Sequence, residues 1–429
     1  MAVTDEMIRQ MESHEVKAQL RYLYGNDERL LKEQQERYAA LLSRHTGLFG
    51  GNKEVQLISA PDRTEIGGNH TDHNHGRVLA AAVNLDTLCA VSSRDDLRVC
   101  FHSEGYAPVE IDLSELDPRP EEEGTTAALI RGVAAGMVKA GYIIGGFDAA
   151  VTSTVAGGSG LSSSAALEVM LTAVLDSLYN RFDMPYVLRA QISKQAENDW
   201  FGKPSGLLDQ MASAAGGLVT VDFRDPDKPE VEAISYDFAK KGYALAVVAT
   251  GGSHANLTDQ YAAIPAEMKA VASFFNQEVL RGITAEQIIG KAGELRDKVS
   301  DRALLRAFHF IREDERVPKQ VTSLKEDRIE DFLRLIIDSG RSSYLYLQNV
   351  YADPRDQSLS LALCLAEEML REDGAWRIHG GGFAGTTLNF VPLVKVKAFT
   401  ETMERTFGKD CCKVLNIRPV GAARITFNS

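Results

Sequence analysis

Cysteine is scarce in this sequence and is not arranged to form bridges. The five cysteines among 429 residues (Cys89, Cys100, Cys364, Cys411 and Cys412) are scattered, odd in number and contain no C-x-x-C pair, which argues against a disulfide framework. A long hydrophobic run is missing too. The most apolar window, 127–151, is broken by Arg131, Lys139 and Asp148, so no segment suits a bilayer span. The opening residues MAVTDEMIRQ lack the apolar stretch of a signal sequence. Positive charge is in deficit, with 47 Lys and Arg against 60 Asp and Glu for a net −13. That balance repels phosphate backbones and anionic lipid, and no basic patch offsets it. The expectation is a cytoplasmic protein with no nucleic-acid or membrane partner. With 13 prolines and 44% hydrophobic residues, the chain can bury a large core, and roughly 150 residues per domain leaves room for two or three.

Residues 1–46 read as two helices. The second begins near Asp27 and sets Leu30, Leu31, Tyr38, Leu41 and Leu42 on one face until Gly47. From Val55 to Val91 short apolar runs alternate with turn residues around a dense polar loop at 61–76, as strands do. The spacing predicts helices over 125–140 and about 162–179, with a strand at 147–155 before the second. The stretch 225–229, with Pro226 and Pro229, is a candidate linker. Beyond it lie a strand at Tyr243–Ala249, a mostly helical stretch and a final alternation of strands and helix. The expected class is α+β, with a helical arm at 1–46, an N-terminal lobe at 47–229, a C-terminal lobe at 230–429 and a cleft between the lobes.

Two segments carry chemistry. In the first, Gly157, Gly158, Ser159, Gly160, Leu161, Ser162, Ser163 and Ser164 run directly into a helix of good formers. Glycines let backbone N–H groups approach a ligand, and a helix start favours an anion, so this is a candidate phosphate loop. No lysine follows the glycines, which excludes a Walker A loop, and the match to a dinucleotide fingerprint is partial. A helix capped by serines would look similar. The second segment, 60–76, gathers Arg63, Glu65, Asn69, His70, Thr71, Asp72, His73 and His75 between apolar runs. Asp72 and Asn69 suit sugar hydroxyls, and Arg63 suits charge developing on a phosphoryl group. A metal site from the three histidines competes with this, without the ligand spacing of zinc sites.

Four motifs taken in order resemble those of the galactokinases. They are R-x-x-x-x-G-x-H-T-D at 63–72, G-L-S-S-S-A-A at 160–166, K-Q-A-E-N-D-W-F-G followed by G-L-L-D-Q-M-A-S at 194–213, and G-G-G-F-A-G at 380–385. Galactokinases belong with homoserine, mevalonate and phosphomevalonate kinases, and the similarity spans about residues 50 to 425. The resemblance implies a two-lobed fold with a mixed α/β N-terminal lobe, a ferredoxin-like C-terminal lobe and the active site in the cleft. It implies ATP- and Mg²⁺-dependent phosphorylation of a hexose at its anomeric hydroxyl, galactose becoming galactose 1-phosphate, by a monomer or homodimer. Asp209 then takes or orients the C1 hydroxyl proton, and Arg63 stabilises the transferring phosphoryl group. Ser164 and Glu197 hold Mg²⁺, residues 157–164 hold ATP, and His70, Thr71, Asp72, Gly206 and Tyr261 meet the sugar. Asp209 should lie in the first turns of a helix, where helix start and Arg63 both favour its charged form.

The sequence also departs from the family pattern. The glutamate expected at the sugar's O6 is Asn69, an earlier asparagine is Glu65, and the closing tyrosine is His73. The N-x-R-R expected after Tyr261 is Ala262, Ala263, Ile264 and Pro265. Asn69 and Glu65 therefore leave related sugars open, namely galacturonate, N-acetylgalactosamine and arabinose. A non-catalytic sugar-binding regulator is the alternative from another class. Such proteins damage the serine–alanine part of the phosphate loop, whereas Ser164, Ala165 and Ala166 are intact here.

Overall fold

The N-terminal arm forms three helices rather than two in the computed structural model, which describes residues 3–51, 53–154, 163–203, 205–251, 257–383 and 385–427. They are α1 (Val3–Gln10), α2 (His14–Tyr24) and α3 (Glu28–Phe49). Ser13 and Asp27 cap the last two by accepting from backbone N–H groups. Gly50, at φ +89°, ends α3 three residues beyond the stop expected at Gly47. Leu31, Tyr38, Leu41 and Leu42 are buried as expected, and Leu30 is half-buried.

β1 (Gln56–Gly67) and β2 (Arg77–Ser93) pair antiparallel and found the first sheet, which also takes β3 (Arg98–Ser103), β4 (Val109–Asp112) and β5 (Phe147–Ser153). The strand continues to Gly67, so Arg63 and Glu65 stand on β1 and not in the loop read from the sequence. The register against β2 shifts between Pro61 and Arg63 and again between Glu65 and Gly67, and such bulges re-aim side chains. Alternation along the strands feeds two cores. Ile58, Cys89 and Val91 face a core with α4 (Thr126–Lys139), α5 (Ser163–Tyr179), α6 (Tyr186–Gln195) and α7 (Leu208–Ala215). Leu57, Leu88 and Ala90 face Leu20, Tyr24, Tyr38 and Leu42 of the arm. The arm is thus the cover of one sheet face.

The expected linker at 225–229 is instead the loop of a hairpin between β6 (Leu218–Asp222) and β7 (Glu230–Ile234), both in the first sheet. Proline and aspartate mark a tight turn as readily as a linker. The second sheet contains β8 (Tyr243–Ala249), β9 (Ala375–His379), β10 (Thr386–Pro392) and β11 (Cys412–Leu415), all antiparallel, in the order β11-β8-β10-β9. That order is ferredoxin-like. Between β8 and β9 come α8 (Thr258–Phe274), α9 (Ala285–Gly290), α10 (Ala292–Arg296), α11 (Asp301–Lys325), α12 (Ile329–Ser342) and α13 (Ser358–Leu370). α14 (Val396–Phe407) joins β10 to β11.

The last strand, β12 (Ala423–Ile425), returns to pair with β1. Residues 230–429 therefore do not form one separate lobe, since β7 and β12 belong to the first sheet. Ile66 and Leu79 share a core with Leu245 and Leu388 of the second sheet, which seats the 68–76 turn at the junction of the two sheets. No described helix is long and apolar enough to cross a membrane.

Candidate active site

Arg63 and Asp209 meet from separate elements. Arg63, on bulged β1, is 5% exposed. Its Nε and Nη2 donate to the two carboxylate oxygens of Asp209 at 2.5 and 2.6 Å. Asp209 lies in the first turn of α7, where the helix start also favours a carboxylate. A two-pronged pair of this kind fixes both groups in one plane. Gln210, the next residue, links the pair to a second cluster. Its Nε2 donates to Glu197 Oε2 (2.8 Å) and to Glu168 Oε2 (3.0 Å). Glu197 Oε1 accepts from Ser164 Oγ (2.8 Å) and from Lys203 Nζ (2.7 Å). Glu197 sits in a π-helical turn, Ala196–Trp200, and such turns recur at functional sites.

The 68–76 turn approaches the start of α7 through Asp72. A Cβ on Gly206 would fall 1.7 Å from Asp72 Oδ2, so glycine there lets the α7 turn close against that carboxylate. The Tyr261 hydroxyl donates to the Gly382 carbonyl (2.9 Å), and its ring occupies the space a Cβ on Gly381 would need. His70 Nε2 meets the Gly381 carbonyl at 3.2 Å. The glycines of 380–382 are therefore packing partners of the 68–76 turn and of Tyr261.

Asn69 and Thr71 differ from expectation. Asn69 is fully buried. Its amide donates to Glu65 Oε1 (3.0 Å) and the Gly380 carbonyl (2.8 Å), and its oxygen accepts from Ser343 Oγ and Asn349 Nδ2 (both 3.1 Å). That uses the whole hydrogen-bonding capacity of an amide and leaves none for a sugar O6. The Thr71 hydroxyl is likewise held between the carbonyls of Gly68 (2.8 Å) and Arg77 (2.6 Å). Glu65 Oε1 also accepts from Arg377 Nη2 at 2.5 Å. Burial pushes the Glu65 carboxyl up to about 7 although Arg377 opposes this.

Sequence reasoning missed His379, Arg377, Gln210 and Lys203. Gln210 and Lys203 lay inside a quoted motif without an assigned task, and His379 directly precedes the 380–385 glycines. His379 Nε2 accepts from the Glu65 N–H (3.3 Å), which puts its proton on Nδ1 facing Thr386 Oγ1 (2.9 Å). His70 and His379 are both held neutral, with pKa lowered to about 3. Burial is the main cause, with His73 adding to it for His70 and Arg63 for His379.

An unfolded imidazole takes up its proton below about 6.5, whereas these do so only near 3. Their contribution to stability is thus intact above pH 6.5 and is lost as pH falls below it. In urea unfolding at pH 7.5 and 5.5, His379→Asn is expected to lose about 1 kcal/mol less than wild type between the two pH values. Equal losses contradict the assignment.

Gly157, Gly158, Ser159, Gly160, Leu161 and Ser162 lie outside the described residues, as does the side chain of Ser163. The chain on either side borders a cavity of about 460 Å³ lined by Ser153, Ser164, Phe101, Tyr106, Leu129 and Phe201. No sequence motif announced it, because strands β3 and β5 and helices α4 and α5 give one or two residues each. Among the described residues no three His, Cys, Asp or Glu side chains cluster as metal ligands, so His70, His73 and His75 form no such site.

Bulged strand, helix-start carboxylate and serine–glutamate pair on this α+β frame define a class. Residues 128–217 match the GHMP kinases N-terminal domain, and residues 43–93 match the galactokinase galactose-binding signature. A Streptomyces coelicolor galactokinase is 31% identical over 389 residues, covering 89% of this chain and 96% of its own. A Glaesserella parasuis galactokinase is 32% identical over 373 residues, covering 84% and 91%. The Lactococcus lactis galactokinase crystal structure, complexed with galactose, superposes with a TM-score of 0.78 at 24% identity, over 90% of this chain and 99% of that one. The chain belongs to the galactokinase family.

Proposed function

We propose that this protein transfers the γ-phosphoryl group of ATP to the anomeric hydroxyl of galactose. The observation that carries the reading is the Arg63–Asp209 pair, tied through Gln210 to Glu197 and Ser164 and flanked by Asp72 and Gly206. Asp209 accepts the C1 hydroxyl proton as the phosphoryl group leaves, and Arg63 holds that carboxylate in place and offsets the charge spreading over the phosphoryl oxygens. The sugar lies against Asp72, His70 and Tyr261, while Asn69, Thr71 and Glu65 brace the turn behind them. The nucleotide base takes the 460 Å³ cavity, and the phosphates lie toward Ser164.

A serine hydroxyl and a carboxylate oxygen 2.8 Å apart, with an ammonium already on that carboxylate, suit a divalent cation that completes its shell with phosphate and water. When bound, Mg²⁺ would neutralise phosphate charge there. The test is ATP consumption over galactose, galacturonate, N-acetylgalactosamine and arabinose. Turnover is expected to be greatest with galactose, and no turnover on any sugar refutes the proposal.

A further inference from the structure

The turn after Glu197 brings a lysine back onto it. Gly202 takes φ +81°, where a Cβ would lie 2.3 Å from a Glu123 carboxylate oxygen, and the Lys203 backbone N–H donates to the Glu197 carbonyl at 3.0 Å. Lys203 is thus tied to Glu197 twice, by its backbone and by Nζ at 2.7 Å from Oε1. Ser164 Oγ meets that same oxygen at 2.8 Å. The two partners differ in freedom, since the Glu197 side chain is 2% exposed and that of Lys203 is 51% exposed. The carboxylate is fixed in the wall of the site, whereas the ammonium sits on a flexible stem at its mouth.

A divalent cation held by Ser164 and Glu197 would need the position on Glu197 that this ammonium holds. Two cations on one carboxylate oxygen repel strongly in a site screened from water. The displaced ammonium keeps its backbone anchor, so it stays within a side chain's length of Glu197, and the anions delivered to that spot are the phosphates themselves. Lysine binds phosphate well as a mobile point charge.

Building on the kinase reading, we propose that Lys203 is a phosphate-binding residue that exchanges partners. It neutralises Glu197 when nucleotide is absent and transfers to the ATP phosphates when the divalent cation takes Glu197. The experiment uses the full chain with Lys203→Met and Lys203→Arg. Mn²⁺ binding to nucleotide-free protein is measured by electron paramagnetic resonance, and KM for MgATP and for galactose by steady-state kinetics.

Lys203→Met is expected to bind Mn²⁺ about tenfold more tightly and to show a KM for MgATP raised about tenfold, as loss of a charged hydrogen bond gives. Its KM for galactose should stay within twofold of wild type, and Lys203→Arg should keep wild-type Mn²⁺ affinity. If Mn²⁺ affinity or the KM for MgATP of Lys203→Met stays within twofold of wild type, the proposal falls and the kinase reading stands. A wild-type protein that phosphorylates no sugar with MgATP overturns both.

Discussion

Replacing Asp209 with asparagine is expected to lower kcat about 100- to 10,000-fold, the range for losing a positioned general base. The amide keeps the shape of the carboxylate but cannot take the C1 proton. It also cannot present two acceptors to Arg63, whose Nε and Nη2 both donate to Asp209. Asp72, His70 and Tyr261 are untouched, so KM for the sugar should move far less than kcat. A coupled ADP assay with the variant's urea unfolding as control separates chemistry from folding. A kcat within tenfold of wild type would show that Asp209 does not carry the proton.

The largest expected loss of stability comes from Asp86, which is far from that chemistry in role but fully buried. Its carboxylate accepts from the Tyr24 hydroxyl (2.5 Å) and from Arg37 Nη1 (2.6 Å), and also meets Ser59. Arg418, itself fully buried, lies 3.6 Å away. The backbone of Asp86 pairs with Thr154 at the end of β5. Burial alone would raise the pKa of Asp86, yet Arg37 and Arg418 outweigh it and hold the carboxyl below its ordinary value. Asp86→Asn strands two arginines without their counter-charge, and breaking a buried pair in this way costs about 3–5 kcal/mol. Urea unfolding should show that loss, and limited proteolysis should cut within 1–49 sooner than in wild type. An unchanged urea midpoint contradicts the role of this carboxylate in holding the arm against the sheet.

Much of this was legible in the chain because the relevant physics is local. Tyr243–Ala249 forms the predicted strand, and the helix predicted over 125–140 forms as Thr126–Lys139, since an apolar run of seven and a helical pattern stopped by Gly141 leave little competition. The Arg63–Asp209 and Ser164–Glu197 pairs were readable as motif residues, though their meeting across 146 and 33 positions is a property of the fold. What the sequence hid is what packing decides. Polar residues such as Arg63 and Glu65 look like a loop, yet they extend β1 because Asp209 and Arg377 satisfy them in the interior. Asn69 looks like a sugar ligand until its four partners, three of them about 270 to 310 residues away, are seen to saturate it. The return of β12 to β1, which undoes a clean division at residue 230, is invisible to any local pattern.

The most direct test of the central claim is phosphorus NMR of the product formed from galactose and MgATP. If the sugar's anomeric oxygen lies against the Arg63–Asp209 pair, the product resonance should couple to the proton on C1, and Asp209→Asn should abolish it on the same timescale. Phosphate found on another carbon, or a product that forms equally well without that carboxylate, would contradict the account.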